Sequence, residues 1–479
     1  MASARTPHNR DRVLWIVVAA STALRLAFAW HFFGFLGGDD AEIIQEAFRV
    51  ARGLDYAPWN VRNLLLPDLL VAPIVCLGLL LGIRDAGHLS FVATFPFVAL
   101  ASVNVVLVYR LARVWLGEIS TARAAAAIYA FHWLPLAYGS TVYPRTAATT
   151  CVLLAATWLS ETRCDLVRGL AAGAAVAIAF AERYSEAIFL LPLLVVCLSA
   201  RGPKGPLLRS LGLVGGFTLG AGVTVGLYDL LTWGRPFASL VEFARLTLVE
   251  RSFSSRVPVQ SPVFYLARIL FWLTPTLFPA LAFAWRERRV RWAWAFLAIP
   301  LVMLSLIAHK ELRYLQGAIP FLALLGGAGF VRLAQRWGRV PAAVLFVLTI
   351  GVEAHGADVL TGKSMAAVAS ARLLAADPSV RVVALSQSWA YGGQLYLGNR
   401  VEVRDVPTPP DPRTLISALA GADRVGLYLA DILADPALVA VLGEHGFDDV
   451  RIVDTTLSRK RDNGGRNVDS GMEGFHGRP

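Results

Sequence analysis

Apolar runs that approach or exceed the roughly 20 residues needed to cross a hydrocarbon core recur along this chain. They confine it to one class, an α-helical polytopic membrane protein. Candidate spans lie at about 13–34, 64–82, 89–110, 121–138, 145–160, 166–182, 185–199, 208–231, 263–285, 292–308, 313–331 and 340–355. Of 479 residues, 56% are hydrophobic and only 16% charged, where a soluble domain carries about 25%. A net charge of +11 would suit a nucleic-acid partner. The Arg and Lys residues gather instead in short loops between apolar runs, as orientation signals do, so no nucleic-acid partner is expected.

Those loops also orient the chain. With 201–209, 286–291 and 332–339 cytoplasmic, the segments 35–62, 232–262 and 309–314 and everything after about 356 fall outside. Twelve spans return a chain to its starting side, whereas these two ends require an odd number. A missed or re-entrant segment within 110–165 is therefore expected, giving about 11–13 transmembrane helices. The basic N-terminus precedes a run from Val13 without a small-residue cleavage site, which reads as an uncleaved first span. Cys76, Cys151, Cys164 and Cys197 lack metal-ligand spacing and read as packing residues.

The composition divides the chain into a transmembrane domain at 1–355, an outer-face α/β domain at 356–457 and a disordered basic tail at 458–479. In the second part, 380–386, 424–430 and 448–453 read as strands, and 412–420 and 436–444 as helices. Within 35–62, Ile43, Ile44, Ala47, Phe48 and Ala51 share one helix face, with Glu42, Gln45, Glu46 and Arg49 opposite. Such a helix is expected to lie in the membrane interface, and a second candidate spans 239–249.

Chemistry is expected where charge interrupts this apolar background. His309-Lys310-Glu311-Leu312-Arg313-Tyr314 places four ionisable side chains between two apolar segments. A charge costs roughly 2.5–3.5 kcal/mol near a bilayer centre, so the cluster belongs at a boundary or in a polar cavity. There Lys310 and Arg313 suit a phosphate, with His309 as donor or proton carrier and Glu311 as counter-charge. The alternative is a basic anchor at lipid headgroups, but positive residues belong mostly inside and this group falls outside. Asp39-Asp40, after the first span, could supply a general base, ligands to a divalent ion such as Mg or Mn, or a helix cap. Arg62 can hold phosphate or snorkel to lipid. Glu182-Arg183-Tyr184 and the weaker Tyr143-Pro144-Arg145 sit in tight breaks between apolar runs, as a functional site or a local ion pair would.

The run His-Lys-Glu-x-Arg-[Phe/Tyr] ahead of an apolar span resembles the hallmark of the GT-C mannosyltransferases that extend N-glycan precursors and GPI anchors. The same order of features follows: Asp39-Asp40 with Glu46 further along the helix, Arg62 shortly before Pro67, Asp229–Gly234 as a turn, and Phe264-Tyr265. The resemblance covers roughly 12–330. It implies a GT-C fold and an inverting glycosyltransferase that moves a hexose, mannose in that family, from a polyprenyl-phosphate-linked sugar donor. The acceptor would be a glycan, lipid or protein, and no organic cofactor is implied. Asp39 would be the general base with Asp40 as partner or alternative. His309, Lys310 and Arg313 would hold donor phosphate, with Arg62 and Arg183 as second-tier candidates and Glu46, Glu311 and Tyr314 in support. A transporter or flippase of polyprenyl-linked glycans is the competing expectation.

Overall fold

A computed structural model describes residues 11–33, 36, 38–54, 56, 58–160, 166–199, 205–250, 259–285, 287–361, 365–386, 393–407, 410–447, 449–461 and 467–476. All twelve predicted spans are helical, with 89–110, 121–138 and 263–285 interrupted. Among the described residues, five helices are long and apolar enough to cross a membrane: Arg12–His31, Ala86–Leu116, Gly205–Trp233, Leu312–Trp337 and Arg339–Asp358. Asp68–Leu80, Tyr184–Leu198 and Arg291–Leu306 are shorter apolar helices. Within 110–165 the chain breaks at His132, which separates the helix Ile119–Phe131 from the six-residue helix Trp133–Tyr138. At 1.5 Å per residue the latter covers only about 9 Å, so it does not cross alone. Cys76, Cys151 and Cys197 are free thiols, while Cys164 lies outside the described residues.

Two compact units emerge: Met1–Ala27, Pro58–Pro67 and Pro96–Ala357 form one, and Phe28–Ala57, Asp68–Phe95 and Asp358–Pro479 the other. The first is built around the helix Ile319–Trp337, whose span is 83% buried. Its small residues explain that position. A Cβ on Gly327 would sit 2.7 Å from Thr121 O, and one on Gly329 would sit 1.9 Å from Ala280 O. Only glycine lets those backbones approach so closely. The helices Leu166–Glu182 and Gly205–Ala221 meet the same way, through Gly169 and Gly173 on one and Gly212 and Gly216 on the other. Phe296 and Phe321 stack with ring centroids 4.2 Å apart and fill the adjoining core.

The second unit contains a sheet of order β2-β1-β3-β5-β4, with β1 Val382–Ser386, β2 Glu402–Val406, β3 Arg424–Tyr428, β4 Asp449–Arg461 and β5 Asn467–His476. β1 runs parallel to both neighbours, pairing Val382 with Glu402 and Val383 with Arg424. The helices Pro412–Leu419 and Ala437–Glu444 fall where the sequence indicated, the first capped by the Asp411 side chain accepting from Thr414 N at 3.0 Å.

Two strands were not expected. β2 carries Glu402, Arg404 and Asp405, charges that an edge strand tolerates. The stretch from 458, expected to be disordered, carries the end of β4 and all of β5, which pair antiparallel. Backbone pairing, which composition does not register, holds them.

The helix Gly38–Ala51 lies in this unit and departs from the interfacial expectation. Ile43, Ile44, Ala47 and Phe48 are buried, but so is Glu46, assigned to the polar face. A helix covered on both sides is not lying free at a lipid surface. The segment at 239–249 instead exposes Val241, Leu248 and Val249.

Candidate active site

The helix Arg291–Leu306 stops at Ile307, where the backbone turns extended, and a tight turn over Leu312–Ala318 starts the next helix. The motif residues 309–314 occupy this joint. The segment at Gln260 pairs with it: Gln260 N donates to Ala308 O and Lys310 Nζ donates to Gln260 O, both at 2.9 Å. Tyr265 OH adds a hydrogen bond to Glu311 O at 3.2 Å. Lys310 is thereby buried to 3% exposure, and desolvation moves its pKa below the usual lysine value.

Glu311 organises the cations. Its carboxylate accepts from His309 Nε2 at 3.0 Å and from Arg313 Nε. Burial alone would raise its pKa, but Arg313 and then His309 outweigh that and hold it at about 2. Arg313 lies 5.7 Å from the Tyr143 ring centroid and Arg183 lies 5.9 Å from it. Arg145 stands 4.6 Å from the Tyr314 ring. Two tyrosines thus gather three guanidinium groups, with the His309 ring edge-on to Tyr314 at 5.6 Å.

Arg145 is the member of this cluster that the sequence marked only weakly and did not select. It opens the helix Pro144–Ser160, pairs with Glu186, and donates to Ser185 Oγ at 2.9 Å and Tyr314 O at 3.3 Å. Both members of the pair are buried. The signal was an Arg directly after a helix-starting Pro, between apolar runs. Tyr143 and Tyr265 were marked only as neighbours within Tyr143-Pro144-Arg145 and Phe264-Tyr265, and Glu186 and Gln260 carried no signal, since each is common in loops and span ends.

Arg62 stands 5.4 Å from the Trp59 ring, on a loop fixed by Asn63 Nδ2 donating to Thr224 O at 2.8 Å. Its charge reaches Tyr184, next to Arg183. Asp229 accepts from Ser239 N at 2.9 Å and from Ser239 Oγ at 2.7 Å, which makes it a loop brace.

The acids belong to the second unit. Asp39 and Asp40 lie in the first turn of the helix Gly38–Ala51 rather than at its cap, and both are buried. Asp40 Oδ2 accepts from Leu36 N at 2.6 Å and its Oδ1 from Ala41 N at 3.1 Å, so this carboxylate closes the entry to the helix. Glu46 lies 3.8 Å from Arg49 Nε. Asp39 and Asp40 would offer a divalent ion two carboxylates, of which Asp40 already accepts from two backbone N–H groups. Among the described residues, no group of three His, Cys, Asp or Glu side chains is placed to complete such a site.

The sequence profile of the Alg9-like mannosyltransferase family matches residues 55–364. The chain belongs to that family. The matched stretch holds the 309–314 motif, Arg62, Arg145 and Arg183, while Asp39 and Asp40 precede it.

Solved structures agree on a GT-C fold for this Alg9-like chain. ArnT from Cupriavidus metallidurans, bound to undecaprenyl phosphate, is 13% identical with a TM-score of 0.60, covering 96% of this chain and 97% of its own. The mycobacterial arabinofuranosyltransferase AftD is 16% identical with a TM-score of 0.56, covering 98% of this chain and 40% of its own. The Archaeoglobus fulgidus oligosaccharyltransferase AglB, in complex with an inhibitory peptide and a dolichol-phosphate, is 13% identical with a TM-score of 0.52, covering 96% and 74%. No curated protein matches the chain. The family and the fold make it a membrane-embedded glycosyltransferase.

Proposed function

We propose that this glycosyltransferase moves a hexose, specifically mannose, from a polyprenyl-phosphate sugar to a glycan, lipid or protein acceptor, with inversion. The acceptor would be met on the extracytoplasmic face of the cytoplasmic membrane, as the distribution of basic loops argues. Asp39 takes the proton of the acceptor hydroxyl as its oxygen attacks the anomeric carbon. The bond from that carbon to the phosphate oxygen breaks, and polyprenyl phosphate departs with one more negative charge. Lys310 and Arg313, with Arg183 and Arg62 behind them, stabilise that charge, and His309 donates to it. Asp40 holds the helix entry that carries Asp39. No step is routed through a metal ion.

The observation carrying this reading is the gathering of Arg145, Arg183 and Arg313 on Tyr143 and Tyr314, beside buried Lys310, within the family-matched stretch. Cations held by aromatic faces and few carboxylates suit a phosphate that gains charge during reaction. The phospholipid carriers in the ArnT and AglB structures support the donor class, and the family description supports mannose. The flippase expectation gains no support from the family match. Membranes containing the chain, supplied with radiolabelled polyprenyl-phosphate-mannose, are expected to form labelled acceptor. Absence of transfer from any polyprenyl-phosphate sugar, with glycolipid crossing vesicles instead, would refute the proposal.

A further inference from the structure

A cavity of about 250 Å³ in the second unit plays no part in this reaction. Gln45, Phe48, Arg49 and Arg52 line one side, and Leu395 and Val403 stand on the other. The helix Gly38–Ala51 creates the basic side by how it ends. Gly53, at φ +67°, takes the left-handed conformation, Gly53 N donates to Val50 O at 3.1 Å, and Leu54 N donates to Arg49 O at 2.9 Å. This closing motif fixes the last turn and sets Arg49 and Arg52 three residues apart on adjoining positions.

Arg52 lies 5.2 Å from the Phe48 ring, and among the described residues no carboxylate comes within ion-pair distance of it. Arg49 is partly balanced by Glu46 at 3.8 Å. Facing these cations are aliphatic side chains from the α/β domain. The combination suits one chemical class, a sugar ring bearing an anion. The guanidinium groups meet carboxylate or phosphate, Gln45 meets a hydroxyl, and the ring's C–H face meets Phe48, Leu395 and Val403. A volume of about 250 Å³ lies just under the roughly 300–1,000 Å³ of ligand pockets, which admits one such unit rather than a long glycan.

We propose that this cavity binds an anionic saccharide unit of the acceptor. The word acceptor rests on the glycosyltransferase reading; the binding does not. Arg49 follows Asp39 by ten residues on one helix, about 15 Å along its axis. The bound unit is therefore not the ring being glycosylated but one further along the same acceptor. Every lining residue lies outside the family-matched 55–364, so this recognition is a feature of this chain added to a shared catalytic domain.

The test is direct binding of glucuronic acid, mannose 6-phosphate and neutral mannose to the full chain in lipid nanodiscs, read by saturation-transfer NMR without donor. Saturable binding of at least one acid but not of mannose is expected, weakened at least tenfold in Arg52→Gln. Val403→Trp, which fills the space without changing charge, should weaken it likewise. The acid that binds assigns carboxylate or phosphate. Binding of neither acid, equal binding of mannose, or affinity unchanged in Arg52→Gln overturns the proposal. Intact acid binding in a chain that transfers no sugar would refute only the enzymatic reading.

Discussion

Replacing Arg145 with Met should destabilise the chain far more than loss of one surface charge. Arg145 is 3% exposed and Glu186 is 2% exposed, and they form an ion pair beside hydrogen bonds from Arg145 to Ser185 and Tyr314. Removing one partner of a buried pair strands the other charge, which costs about 3–5 kcal/mol. Against total stabilities of about 5–15 kcal/mol, that is a large share. Methionine keeps much of the volume, so the lost packing over Tyr314 contributes less. Glu186→Gln in the Arg145→Met background removes the stranded charge, and the pair should show a coupling of about 2–3 kcal/mol. Unfolding free energies of the four proteins in mixed micelles, read by tryptophan fluorescence, measure this. A cost under about 1 kcal/mol for Arg145→Met, or strictly additive losses in the double variant, would refute the reasoning.

Two further outcomes follow from packing and from charge. Gly216→Leu should weaken the chain by at least about 1–3 kcal/mol, because a Cβ there meets Leu170 O at 2.1 Å, whereas Gly222→Ala, with nothing within 4 Å, should be tolerated; unfolding midpoints of the two decide it. Glu311 has a folded-state pKa of about 2, below its ordinary 4.5, so it stabilises the fold above the ordinary value and loses that contribution as pH falls toward 2. The melting temperature of Glu311→Gln should therefore lie below wild type at pH 6, and the gap should narrow as pH falls below 4.5 and close only toward pH 2; a gap that widens on acidification would contradict this.

Hydropathy made the helices legible, because a bilayer demands a run of apolar residues wherever the chain crosses. It did not reveal the break at His132, where two short helices share one apolar run. The motif at 309–314 and Arg183 stood out because charge in an apolar setting is costly, and the structure gathers them. Arg145 was half-legible for the same reason, but its partner Glu186 lies 41 residues away, a distance that no local pattern spans. Glu46 was misplaced because helical periodicity assigns a face to solvent without knowing whether protein covers it. β2 and β5 escaped because strand pairing rests on backbone groups that every residue carries alike.

The central claim is that an acid and a set of cations divide the work of one transfer. Initial rates with polyprenyl-phosphate-mannose, measured for wild type, Asp39→Asn and Arg313→Ala across donor concentrations, test it most directly. Loss of the general base should lower kcat by about 10²–10⁴ with little change in donor KM. Loss of Arg313 should lower kcat/KM for donor and weaken binding of free polyprenyl phosphate, which Asp39→Asn leaves intact. Transfer at wild-type rate by both variants would contradict the account.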